Sequence, residues 1–148
     1  MKVKDCSGII DRPLITIGER ETADLAIGKL LEYNIGALPV CDAMGALVGI
    51  ISERDLLKMC ALSSSKVNST KLRDIMTKEV YICNPDDELD DVMETMRRKG
   101  VRHIPILEDK KLVGIISIRD IVEKRLEECQ IEVRMLNKYI SGSYVSPD

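Results

Sequence analysis

The sequence predicts a mixed α/β fold of the α+β kind. Two β-α-β-β-α repeats, related by a pseudo-twofold axis and packed through their sheets, precede a long C-terminal helix. Three observations predict it. The stretch Gly49-Ile50-Ile51-Ser52-Glu53-Arg54-Asp55 returns as Gly114-Ile115-Ile116-Ser117-Ile118-Arg119-Asp120. The stretch Ile35-Gly36-Ala37-Leu38-Pro39-Val40 returns as Val101-Arg102-His103-Ile104-Pro105-Ile106, 66 residues later. Beyond the second copy, Val122, Leu126, Cys129, Val133, Leu136 and Ile140 follow one another at steps of four and three. Similarity at a fixed offset marks a duplicated supersecondary unit. A period of 3.5 marks a helical seam rather than a simple amphipathic stripe.

The first repeat opens on a short apolar stretch, Leu14 to Ile17, read as a strand. Ala23, Ala26, Ile27, Leu30 and Leu31 recur at helical spacing, and Asn34 stands where that helix should stop. Two apolar runs around the turn Asp42-Ala43-Met44-Gly45 then read as a hairpin, with a helix following Ser52. The second repeat opens on Val80 to Cys83. Asn84-Pro85-Asp86-Asp87 adds turn chemistry and places negative charge at a helix N-terminus, where the dipole favours it. Leu89, Val92, Met93 and Met96 form that helix's apolar face, and Gly100 ends it. The offset between copies falls to 65 at Asp55 and Asp120, the lost residue lying around Glu108-Asp109-Lys110. A hairpin tip is where a folded repeat tolerates a change of length.

The chain therefore divides into a first repeat (1–62), a linker (63–70) holding Ser63-Ser64-Ser65, a second repeat (71–128) and a C-terminal helical extension and tail (129–148). A half of about 65 residues buries too little surface to stand comfortably alone, so the halves should pack on each other. The last helix runs from Ile118 to about Ile140, with Gly142 as its stop. Its seam is shorter than an ordinary coiled coil. It either folds back on its own domain or meets a partner helix.

Composition narrows the function. The hydrophobic share of 45% allows a core, which is aliphatic: the sequence has four Tyr and no Phe or Trp. A net charge of −3 excludes nucleic-acid binding driven by bulk charge, which needs a basic face. A small anionic ligand needs only one cluster of donors. Five scattered Cys with no CxxC pair, and a single His, disfavour a zinc site and read as free thiols in a reducing compartment. No apolar run approaches the roughly 20 residues that span a bilayer. Met1 to Asp5 has no signal-peptide core. The expected setting is cytoplasmic, with neither membrane nor nucleic acid as partner. Catalysis is not expected, because no metal cluster and no nucleophile–base pair is visible.

The repeated Ser-x-x-Asp junction has two readings. As a strand-to-helix turn it is a capping box, the Asp bonding back to the cap residue. It also offers a Ser hydroxyl and free helix N–H groups to a phosphate, and a carboxylate to the hydroxyls of a ribose. Together these describe a nucleotide. Ile50-Ile51 and Ile115-Ile116 either fill the core or flank a base.

The duplicated unit, ending in Gly-Ile-Ile-Ser-x-Arg-Asp, resembles the cystathionine β-synthase (CBS) domain. The tandem resembles a CBS pair, or Bateman module, over about residues 3–128, of the stand-alone bacterial or archaeal kind. The resemblance implies a regulatory module that binds an adenosine nucleotide (AMP, ADP, ATP, sometimes NAD(H) or S-adenosylmethionine) and requires no cofactor. It implies that the motif Asp holds ribose, that the motif Ser helps hold phosphate, and that the other repeat's hairpin entry completes each site. One site then uses Ile50, Ser52, Arg54 and Asp55 with Tyr81, Val101, Arg102 and His103. The other uses Ile115, Ser117, Arg119 and Asp120 with Ile15, Ile35 and Gly36. The basic pair Arg102-His103 makes the first the tighter site. The resemblance also implies a homodimer, and a target protein that senses the relative pose of the repeats. The competing expectation is a ligand-independent dimeric interaction module, in which both junctions are caps only.

Overall fold

The duplicated apolar runs form two hairpins of matching register. In a computed structural model that describes residues 1–6 and 8–141, β2 (Ala37–Cys41) pairs antiparallel with β3 (Leu47–Ser52). Ala37 lies opposite Ser52 and Pro39 opposite Ile50. β4 (His103–Glu108) pairs in the same way with β5 (Lys111–Ser117), His103 opposite Ser117 and Pro105 opposite Ile115. Both registers slip at the same place, between Val40 and Cys41 and between Ile106 and Leu107. The tips differ. The longer one turns through Gly45 at φ 83°, and the shorter through Asp109 and Lys110 at φ 50° and 65°. Two successive left-handed residues are what a tight two-residue hairpin requires.

Both opening strands are shorter than the sequence suggests. β1 (Ile17–Gly18) runs parallel to β2, and Val80 to Cys83 contributes a single bridge, Cys83 to Ile106. The prolines explain this. Cys83 N–H donates to the Pro105 carbonyl and Leu107 N–H to the Cys83 carbonyl. The next rung back would need an N–H from Pro105, which has none. Pro39 stops β1 by the same rule. The sheets therefore hold three strands and two.

α1 (Ala23–Tyr33) buries Ala23, Ala26 and Leu30 and leaves Leu31 exposed. α4 (Leu89–Lys99) buries Leu89, Val92 and Met96. Each ends on a left-handed residue, Asn34 at φ 52° and Gly100 at φ 66°. α2 (Glu53–Ser63) runs into a 3-10 turn, Ser64–Lys66, so the serine run is helical rather than a loose linker. α3 (Leu72–Ile75) is one short turn.

The two cores exchange chain. Val3, Cys6 and Ile9 pack with Leu89, Ile104 and Ile116, while Leu72 packs with Ile17, Leu38 and Ile51. Backbone bonds fix the exchange: Val3 N–H donates to the Asp87 carbonyl at 3.0 Å, and Leu72 N–H to the Glu21 carbonyl at 2.9 Å. Leu72 is fully buried, which contributes about 1.5–3 kcal/mol.

α5 (Ile118–Ser141) packs its first turns on β5 and α4, burying Ile121 and pairing Arg125 with Asp90. Beyond that it does not fold back. Leu126, Val133, Leu136 and Ile140 are 57%, 55%, 60% and 83% exposed. Gly142 lies outside the described residues. No described helix is long and apolar enough to cross a membrane.

Candidate functional site

Both Ser-x-x-Asp motifs form capping boxes. The Ser52 N–H and hydroxyl donate to Asp55 Oδ2 at 2.9 and 3.0 Å, and the Asp55 N–H donates back to Ser52 Oγ at 3.4 Å. Ser117 and Asp120 repeat the arrangement at 2.8, 2.9 and 3.2 Å. The cap occupies one carboxylate oxygen and leaves the other, so the capping and binding readings are compatible.

The remaining oxygens separate the repeats. Among the described residues, Asp55 Oδ1 meets only the Thr77 hydroxyl, at 3.4 Å, near the outer limit of a hydrogen bond. Asp120 is held by Arg12, whose Nη1 donates to Oδ1 at 3.0 Å and Nη2 to Oδ2 at 2.9 Å. Nη2 also donates to the Ile115 carbonyl at 2.8 Å. Burial alone would raise the Asp120 carboxyl, but Arg12 and the Ser117 N–H outweigh it and hold the group below its ordinary value.

Each junction opens into a cavity. The first, about 470 Å³, is lined by all eight residues expected of it: Ile50, Ser52, Arg54, Asp55, Tyr81, Val101, Arg102 and His103. Glu53, Lys58 and Thr77 join them. The second, about 510 Å³, is lined by Ile115, Ser117, Arg119, Asp120, Ile15, Ile35 and Gly36, with Arg12 added. Both volumes suit a nucleotide-sized ligand. Sequence reasoning missed Arg12. The offset of 66 sets it against Lys78, a second basic residue just ahead of an opening strand, and that was the available signal.

Gly36, Glu53, Arg102 and His103 line both cavities. Contact across this wall is close: a Cβ on Gly36 would lie 3.1 Å from two atoms of the His103 ring and 3.4 Å from Glu53 Oε1. Burial holds the His103 imidazole below its usual value, against the pull of Glu53 and Asp120. At neutral pH it is an uncharged hydrogen-bonding group, so the expected basic pair carries one positive charge, on Arg102.

Free cations are more numerous in the first cavity. Arg54 and Lys58, which line it and not the second, and Arg102, which lines both, make no ion pair among the described residues. In the second, Arg12 is taken by Asp120 and Arg119 by Glu123, at 3.2 Å. Unpaired donors favour an anionic ligand in the first cavity. Among the described residues, no group of His, Cys, Asp and Glu is placed to hold a metal.

The CBS domain family model matches residues 3–61 and again 72–127. This chain belongs to the CBS domain family. The CBS-domain protein ATU1752 from Agrobacterium tumefaciens has the same fold, with a TM-score of 0.78 and 37% identity over 84% of this chain and 99% of that one. The CBS pair of protein MJ0100, solved in complex with 5′-methylthioadenosine and S-adenosyl-L-methionine, gives a TM-score of 0.76 and 30% identity over 86% and 98%. The mitochondrial CBS domain-containing protein CBSX3 of Arabidopsis thaliana is 37% identical over 123 residues, 80% of this chain. The chain spans 60% of that relative's length and 24% of the inosine-5′-monophosphate dehydrogenase of Methanocaldococcus jannaschii, to which it is 34% identical.

Proposed function

We propose that this CBS pair binds an adenosine nucleotide in its first cavity and acts as a regulatory module, without catalysis. The observation that carries the reading is Asp55 Oδ1, held by no more than the 3.4 Å bond from the Thr77 hydroxyl, in a cavity whose cations Arg54, Lys58 and Arg102 are unpaired among the described residues. Asp55 accepts from the ribose hydroxyls. Ser52, Arg54 and Arg102 hold phosphate, and Ile50, Tyr81 and Val101 supply the apolar walls for the base. AMP, ADP and ATP suit the unpaired Arg54, Lys58 and Arg102 best, although Glu53, Asp55 and Glu79 share the lining; NAD(H) and S-adenosylmethionine are the other ligands in view. The adenosine-derived ligands of MJ0100, at 30% identity, support this ligand class. A bound nucleotide touches both repeats, so occupancy shifts their relative pose, and a target protein in the cytoplasm reads that shift from a homodimer of the module.

Calorimetric titration and thermal melting with AMP, ATP, NADH and S-adenosylmethionine test the proposal. At a hundredfold excess over Kd, a ligand stabilises the fold by about 2.7 kcal/mol. That raises the melting temperature by roughly 5–11 °C for a chain of this size. No heat and no shift with any adenosine ligand refutes it.

A second reading rests on the exposed seam of α5, which suits a ligand-independent dimer. Deleting residues 126–148 separates the two. Loss of the dimer with nucleotide binding intact favours the nucleotide reading.

A further inference from the structure

We propose that Arg12 is a built-in competitor for the second cavity, occupying the acid and carbonyl that a nucleoside would need there, so that the chain fills its first cavity before its second. The inference rests on the nucleotide reading above and adds a rule for the order of loading.

The bond inventory carries it. Asp120 accepts two hydrogen bonds from Ser117 and two from Arg12: Oδ2 takes three of them and Oδ1 takes the charged Nη1 donor at 3.0 Å, so a ribose must compete with the guanidinium for this acid. Asp55 accepts the same two from its own Ser52, and its Oδ1 carries only the long 3.4 Å bond from the Thr77 hydroxyl, which an incoming hydroxyl can join or replace. The Ile115 carbonyl, at the strand edge of the second cavity, is taken by the same guanidinium. A planar two-pronged donor matches a carboxylate better than a pair of hydroxyls does.

The backbone delivers Arg12 to this position. Residues 8–13 carry the chain from the second core, where Ile9 is buried, toward β1 in the first core. The Arg12 N–H donates to the Gly8 carbonyl at 2.9 Å, closing a turn, and Pro13 restrains the next step. The clasp is also able to open. The Arg12 side chain is 44% exposed and can withdraw into water, whereas Asp120, at 14%, stays in the cavity wall. Among the described residues, the first cavity has no counterpart. Lys78, at the position matching Arg12, is exposed and does not line it.

The clasp lowers affinity in the second cavity by about tenfold, the low end of what one hydrogen bond to a charged group contributes. The test titrates AMP and ATP calorimetrically into the wild-type chain, Arg12→Ala, Arg12→Gln and the double variant Arg12→Ala/Asp120→Ala. The wild-type chain should show one tight event and a second, weaker one. In both single variants the second event should tighten by about tenfold with the first unchanged, and the double variant should lose that gain. The glutamine variant preserves a long polar side chain should the alanine variant fail to fold. Two equal events in the wild-type chain overturn the proposal. So does a lowered melting temperature in the single variants with an unchanged second event, because the clasp is then structural only. Silence of both cavities in every protein overturns the underlying nucleotide reading instead.

Discussion

Replacing Asp55 by Asn separates the two duties of the junction carboxylate. Oδ2 caps α2 by accepting from the Ser52 N–H and hydroxyl at 2.9 and 3.0 Å, while Oδ1 faces the cavity. An Asn keeps the shape and one carbonyl oxygen, which can stay on the Ser52 N–H. Its NH2 then replaces Oδ1, putting a donor where a ribose hydroxyl needs a charged acceptor. A hydrogen bond to a charged group contributes about 1.5–3 kcal/mol, so AMP affinity should fall roughly 10–150-fold. Asp55→Ala removes the cap as well, at about 0.5–2 kcal/mol of stability. That lowers the melting temperature by roughly 1–8 °C. Calorimetry and thermal melting on the two variants divide the effects: Asn should lose binding with most of its stability kept, and Ala should lose both. AMP affinity within twofold of the wild type in Asp55→Asn would refute the assignment. So would Asp120→Ala weakening the tight event more than Asp55→Ala does.

Four other outcomes follow from the same geometry. Gly49→Ala places a Cβ 2.5 Å from Met76 Sδ and 3.0 Å from the Thr77 carbonyl, and should cost about 1–3 kcal/mol in urea denaturation. Leu72→Ala should cost about 2–5 kcal/mol, because this residue, beyond the serine run, fills the first core. Of the free cysteines, exposed Cys129 should react first with a thiol reagent; the Cys83 thiol, pushed up to about 12 by burial and by Asp87, should react only on unfolding. Acid protonates His103 later in the fold than in the unfolded chain, because burial lowers its folded-state value. The stability is fully present above pH 6.5 and is lost as pH falls through the folded value; His103→Gln should flatten that part of a stability–pH profile.

Much of the architecture was legible because it is local and written twice. The hairpins, the helix stops at Asn34 and Gly100, and the linked Ser and Asp all depend on residues within a few positions of each other. The eight and seven cavity residues also came together, since a duplicated junction faces the other copy's hairpin entry. The shortness of β1 was legible in principle, because Pro39 and Pro105 lack the N–H that a longer parallel strand needs. Arg12 was not. It lies 108 residues from Asp120, and no local rule links an arginine before the first strand to an acid in the last helix. The neutral state of His103 depends on burial by both repeats. The α5 seam was legible as a pattern, but spacing alone does not say whether such a helix folds back or stands clear.

The exchange of chain between the two cores has a consequence for folding order. Ile17 through Leu72 can complete the first core while the second is still being synthesised. Val3, Cys6 and Ile9 emerge earlier still, yet they must wait for Ile116 and Ile121, more than a hundred positions further along. Closing so wide a loop adds little to its entropic cost, which grows only with the logarithm of length, but contacts of long sequence separation slow folding. A cut at the serine run would also strand a piece of each core on the wrong fragment: Leu72 with the second half, and the Val3 segment with the first. The repeats are two in their sequence and in their cores, but the chain folds as one.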